Sequence, residues 1–366
     1  MSAISPEDRA AMRESFARLL ASDHTEARMR ATTASPAGFD RSLWGKVGEM
    51  GLLAVLVAEE NGGLGAGMRE MGELFEEAGK ALYTAPLLES AVIATSLLAL
   101  SADAEARARL LSAMAAGETI AIPALTGDSG TWDAAGVAVE AAGDLLSGHA
   151  AYVNHAASAD VLLVAAREGA GVALYEVAPA TDGVTLTPQP ANDPSLRLSR
   201  INFEGAAARR IEGADAAVIR AALDRGRVAQ AGEQAGGSRH VLDMTVAYML
   251  GRYQFGRPIG SYQALKHMAA DLLVEVESAL SAARHAAAAM DDGSADAVQL
   301  VSLAGFACAD AYVEVTAQAI QMHGGIAYTT EYPLHLYWRR ARSLAQMLGS
   351  SGAFCEQYLG EWEKAA

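Results

Sequence analysis

The chain has 366 residues, with 28 Lys and Arg against 44 Asp and Glu, and the resulting formal net charge of −16 disfavours a nucleic-acid surface or an anionic membrane as the default partner. Hydrophobic residues make up 51% and charged residues 20%, which excludes a disorder-dominated chain and supplies core for about two or three domains. Cys308 and Cys355 are the only cysteines and no Cys/His spacing resembles a zinc site, so neither a disulfide framework nor a structural metal is expected.

The first residues, Met1 to Arg9, carry early acids and no apolar signal core. The most apolar stretches are interrupted by charge or glycine short of membrane-spanning length, so a cytoplasmic protein without a membrane segment is expected. Residues 6–115 predict helices: Pro6-Glu7-Asp8 opens an amphipathic run, and 43–57 and 68–83 repeat apolar residues at helical spacing on either side of the loop Asn61-Gly62-Gly63-Leu64-Gly65. From about residue 120 the texture changes to short β-rich runs at 120–125, 136–141, 145–153, 161–166, 171–177, 184–188 and 196–203, the spacing of a small barrel or sandwich. Beyond residue 212 four long helical patterns follow at 217–251, 262–290, 296–323 and 333–363. At about 1.5 Å rise per residue these suit an antiparallel bundle. The expected fold is α+β and multidomain: an N-terminal helical domain over 1–115, a middle β-barrel-like domain over 116–212, and a C-terminal four-helix bundle over 213–366.

Two motifs in the bundle carry chemistry. In Arg252-Tyr253-Gln254-Phe255-Gly256-Arg257-Pro258-Ile259, a guanidinium just past a long helix offers fixed, always-charged donors suited to a pyrophosphate; the bland alternative is a pair of loop arginines with Phe255 as a core anchor. Gln321-Met322-His323-Gly324-Gly325 ends the third bundle helix, where the glycine pair also reads as a C-cap with positive φ.

The order of elements and these two motifs resemble the acyl-CoA dehydrogenase family over essentially the whole chain. Further support comes from Trp44-Gly45-Lys46 with Asn61-Gly62-Gly63-Leu64-Gly65, from Leu146-Ser147-Gly148-His149, from Ser261-Tyr262-Gln263-Ala264-Leu265-Lys266, and from Ala327-Tyr328-Thr329-Thr330-Glu331-Tyr332-Pro333. The resemblance implies that Arg252 holds the diphosphate of FAD, that Gln254, Phe255 and Gly256 let backbone turn close to the cofactor, and that Gln263 bonds its adenine or ribose portion. It implies that Gln321, Met322, His323, Gly324 and Gly325 approach the FAD of a neighbouring subunit, and so an oligomer. In the β-domain it places Tyr152 by the isoalloxazine and Asn154 near its reactive nitrogen, where relatives more often carry a tryptophan and a hydroxyl residue. Of the family's usual Thr-Glu-Pro followed by Gly-Ser-Asp, reduced here to 125–130, the resemblance leaves only Thr126 as a cofactor ligand, and Ala327 stands where the pattern usually continues with glycine.

A dehydrogenation across Cα and Cβ of a thioester needs a carboxylate to take the α-proton while hydride moves to the flavin. Counting from Gln321, the family's usual glutamate position is Leu348, followed by Gly349-Ser350; leucine cannot take a proton. The alternative position, typified by isovaleryl-CoA dehydrogenase, falls on Gly226 between Arg225 and Arg227. Glu233, about two turns along the same helix, reads as a helix-packing or solvated residue, Asp224 as an early-helix acid and Glu331 as a loop or cap residue.

Three readings follow from that resemblance. One is a base-lacking subunit that lends its motifs to a FAD completed by a catalytic acyl-CoA dehydrogenase partner subunit, as in the α2β2 enzymes of bacterial steroid degradation, with an acyl-CoA substrate and electron-transfer flavoprotein as electron acceptor. A second is a homomeric acyl-CoA flavoenzyme of base-independent, desulfinase-like chemistry. The third is a flavin-free assembly subunit. The first is the expectation taken forward.

Overall fold

A computed structural model describes residues 4–365. In chain order the N-terminal helices are α1 (Pro6–Asp23), α2 (Glu26–Ala34), α3 (Arg41–Glu49), α4 (Met68–Ala81), α5 (Thr95–Leu100) and α6 (Ala104–Ala115), with a π-helical segment, Leu87–Ala94, running into α5. Eight strands follow: β1 (Ala121–Ala124), β2 (Val139–Ala142), β3 (Leu145–Asn154), β4 (Val161–Glu168), β5 (Gly171–Val177), β6 (Val184–Pro188), β7 (Leu198–Ala207) and β8 (Arg209–Asp215). The remainder is α7 (Ala216–Gly251), a two-strand hairpin of β9 (Tyr253–Gln254) and β10 (Arg257–Pro258), α8 (Gln263–Asp291), α9 (Ala297–His323), α10 (Leu334–Leu344) and α11 (Ser351–Ala365).

The described residues form two compact units, each assembled from separated stretches: residues 4–9, 27–70 and 84–226 in one, and 10–26, 71–83 and 227–365 in the other. In the first unit all eight strands join one sheet, in the order β6-β7-β3-β2-β4-β5-β8. Two strands share one edge of β4, since β1 pairs with it in parallel at residues 121–124 and β2 meets it at Glu140 and Arg167. Strand β8 is additional to the seven expected runs. Its charged residues, Arg209, Arg210, Glu212 and Asp215, alternate with Ile211 and Ala214 and hide an edge strand from an apolar-run criterion. The helices here are set by local chemistry: Asp40 accepts from the N–H groups of Ser42 and Leu43 at the start of α3, whose apolar face buries Leu43, Trp44 and Val47. The helical run expected over 43–57 therefore stops at Gly51, with φ of 75°, and continues only as a 3-10 turn, Leu52–Ala54.

In the second unit α4 and α7 cross at backbone contact. A Cβ on Gly79 would lie 2.0 Å from the Glu233 carbonyl oxygen, and one on Gly236 would lie 2.0 Å from that of Glu76. Glu76 is buried there, and both its oxygens accept from Arg284 on α8 at 2.7 Å. Among the described residues one helical stretch, Ala297–Tyr328, comprising α9 and the 3-10 turn after it, is long and apolar enough by length and composition alone to cross a membrane. Its most apolar window is 56% buried inside the protein, the situation of a bundle core helix.

The fourth expected bundle helix is two. Between α10 and α11 the helical ladder is replaced by side chains: the Gln230 amide donates to the carbonyls of Leu344 and Met347, at 3.0 and 3.1 Å, and Arg227 Nε donates to that of Leu348 at 3.0 Å. Leu348, at φ 58°, and Gly349, at φ 139°, then turn the backbone. A side chain at 349 would lie 2.7 Å from the Phe354 ring, so only glycine fits.

Candidate functional site

In the second unit the two motifs form two exposed turns. Strands β9 and β10 pair across Phe255 and Gly256, both at positive φ (51° and 80°), the geometry of a two-residue primed turn. For phenylalanine the left-handed conformation costs about 1 kcal/mol. The side chain is not a core anchor: Phe255 is 93% exposed. Arg252 and Gln254 are exposed beside it, and Arg252 forms no ion pair among the described residues. The turn is braced by the Tyr262 hydroxyl on the Gln254 carbonyl, at 3.2 Å, and by the Arg257 guanidinium 3.9 Å above the Tyr262 ring. Gln263, exposed, is the first residue of α8.

The other turn ends α9. Gly324 adopts φ 66° and its N–H returns to the carbonyls of Gln321 and Ile320. Gln321, Gly324 and Gly325 are exposed, and open space surrounds the position of a Cβ on either glycine. Met322 and His323 are instead buried in the bundle. Exposed donors at 252, 254, 263 and 321 beside glycines with open faces suit a ligand carrying a diphosphate, approached by both side chains and backbone.

The residues singled out in the β-domain are placed differently. The Thr126 hydroxyl donates to the Thr131 carbonyl at 2.7 Å. Tyr152 lies at φ 56° in a bulge of β3 against β7; its N–H donates to Gln189 Oε1 at 2.8 Å and its hydroxyl to the Asp128 carbonyl at 3.2 Å. Asn154 is buried, with Nδ2 donating to Glu89 Oε1 and Oδ1 accepting from the Arg197 N–H, both at 2.7 Å. Each of these groups is hydrogen-bonded within the chain, so the β-domain fits a flavin ring less readily than the two turns fit a diphosphate. Glu89 and Gln189 were not singled out from sequence. The signal for Glu89 was present, an acid inside the apolar run 85–100, whereas nothing local distinguishes Gln189.

Neither of the two positions expected for a base holds an acid. Leu348 is 2% exposed in the kink, and Gly226 is buried in α7. Glu233 is the buried partner of Arg340, whose Nη1 reaches Glu233 Oε1. Asp224 is buried and has partners of its own, and Glu331 is exposed. No group of three or more metal-ligating side chains occurs among the described residues.

Comparison with known proteins gives concordant matches. Residues 6–118 match the acyl-CoA dehydrogenase N-terminal domain and residues 216–358 the acyl-CoA dehydrogenase C-terminal domain. The chain is 33% identical over 348 residues, 94% of each chain, to acyl-CoA dehydrogenase IpdE2 of Mycobacterium tuberculosis. It is similar in structure to a chain of the ChsE4-ChsE5 complex of Mycobacterium tuberculosis, with a TM-score of 0.90 and 27% identity over 100% of this chain and 99% of that one. A chain of a single-substitution variant of the Tcur3481-Tcur3483 steroid ACAD matches with a TM-score of 0.90 and 26% identity over 98% of each.

Proposed function

The chain belongs to the acyl-CoA dehydrogenase family, and from that premise we propose that it is the base-lacking subunit of a heteromeric, FAD-dependent complex that dehydrogenates a bulky, steroid-type acyl-CoA between Cα and Cβ. It is an oxidoreductase with the family's fold, and its cofactor is FAD. The observation that carries the finer reading is Leu348, buried in a side-chain-stapled kink at one base position, together with Gly226 at the other. Two of the similar structures are of two-component assemblies, ChsE4-ChsE5 and the steroid ACAD Tcur3481-Tcur3483, which supports an acyl-CoA dehydrogenase partner.

In this reading the chain binds and orients. Arg252 would hold the diphosphate through its planar donor fork, Gln254, Gln263 and Gln321 would bond the nucleotide portion, and the Gly324-Gly325 backbone would lie against it. FAD, when bound, supplies the hydride acceptor. A carboxylate of the partner subunit takes the α-proton, because neither Leu348 nor Gly226 can. Electron-transfer flavoprotein is the proposed acceptor and the cytoplasm the proposed compartment.

Expression of the chain alone and with its genomic neighbour tests this, through FAD per protomer and turnover of steroid-type acyl-CoA esters. Turnover only in the two-chain complex is expected. One FAD per chain with full activity in the lone protein would sink the base-lacking reading.

A further inference from the structure

His323 belongs to an exposed turn yet is 4% exposed, and its surroundings are built. Nδ1 lies 2.8 Å from the Ala319 carbonyl, which can only accept, so Nδ1 carries the hydrogen. Nε2 is then the acceptor for the Tyr332 hydroxyl at 3.0 Å. The Tyr248 ring stacks on the imidazole, with centroids 4.3 Å apart and planes 22° from parallel, and its hydroxyl reaches the His323 carbonyl at 3.2 Å. The Tyr248 carbonyl in turn accepts the Arg252 N–H at 2.9 Å. A continuous set of contacts therefore runs from the backbone of Arg252, through Tyr248, to the backbone and ring of His323, and on to Tyr332.

We propose that His323 is a positioning residue which, clamped between Tyr248 and Tyr332, fixes the spacing of the turns at 252–256 and 321–325 so that both engage one diphosphate-bearing cofactor at once. The proposal rests on the reading that those turns hold FAD. Two binding elements held in register lose little freedom when the ligand arrives, whereas elements that drift must be ordered by it, which lowers affinity. The buried imidazole is thus separated from the ligand, and the exposed Gln321, Gly324 and Gly325 do the contacting.

The test uses the two-chain complex with FAD removed, and titrates it back by flavin fluorescence. Tyr332→Phe, which deletes one hydroxyl, and His323→Leu are each expected to weaken FAD binding about tenfold, while His323→Gln, which restores an acceptor near Nε2, stays within about threefold of the parent. The apo-complex melting temperature of Tyr332→Phe is expected to stay within about 2 °C of the parent, since a purely structural role would lower it and leave affinity untouched. Unchanged FAD affinity in Tyr332→Phe overturns the proposal, including where His323→Leu does not fold. A parent complex that takes up no FAD fails the underlying reading instead, and that outcome is visible before any variant is made.

Discussion

Arg227 Nε donates to the carbonyl of Leu348 at 3.0 Å, so the residue that follows Gly226, one of the two positions where the family resemblance leads one to expect an acid, holds the backbone of the other. The guanidinium also lies 5.5 Å over the Phe354 ring, and Gln230, one turn further on, binds two more carbonyls of the same kink. The kink is thus held by side chains of α7 bonded to its carbonyls. Leu348, itself buried, fills it as an apolar plug.

Leu348→Glu restores a carboxylate to a buried, left-handed position. Removing the apolar side chain and burying a charge there is expected to lower stability by about 2–4 kcal/mol in urea denaturation. No turnover is expected from the lone variant, because the polar groups of Thr126, Tyr152 and Asn154 are committed to internal partners. Autonomous turnover by that variant would show that the base alone had been lost.

Arg252→Lys keeps the charge and removes the planar fork. Lysine presents a point charge where the diphosphate site calls for paired donors, so FAD binding by the complex is expected to weaken about tenfold, as read by equilibrium dialysis. Arg252 is exposed and without an ion pair among the described residues, so the melting temperature of the apoprotein is expected not to move.

The Glu233 and Arg340 pair is buried, with side-chain exposures of 10% and 5%. Arg340→Ala removes the guanidinium paired with this buried carboxylate, beside the close crossing of α4 and α7, and is expected to lower stability by about 3–5 kcal/mol. The double variant Glu233→Leu with Arg340→Met removes both charges and is expected to be less damaged than the single one. Equal losses in the two would show that packing, and not charge pairing, governs the site.

Acidification is expected to destabilise the second unit through its histidines. Burial pushes the His323 imidazole below its ordinary value of 6.5, against the opposing effect of the Ala319 carbonyl, and burial does the same to His240, stacked on Tyr337. The unfolded chain then binds protons that the folded chain refuses, so stability is full above 6.5 and falls as pH drops from there towards the depressed folded values. A melting-temperature profile between pH 5 and 8 is expected to slope upward and flatten above about 7, with a shallower slope in His323→Gln. An unchanged slope would assign the effect to other groups.

The sequence by itself determined the family, the helix and strand succession apart from β8 and the break between α10 and α11, and the glycine turns of the motifs at 252–256 and 324–325, because apolar period, helix ends and glycine at positive φ are local properties. It also showed that Leu348 and Gly226 are not acids, which is a matter of counting. Only the tertiary structure decided what surrounds them. Arg227 reaches Leu348 across 121 residues of chain and breaks a helix that its own sequence would continue. His323, inside a motif that reads as a ligand site, turns into the bundle because Tyr248 and Tyr332 meet it there. Hydrogen bonds and ring contacts between distant segments leave no periodic trace in the sequence, so which member of a motif faces the ligand and which holds the motif in place is fixed only when the chain folds.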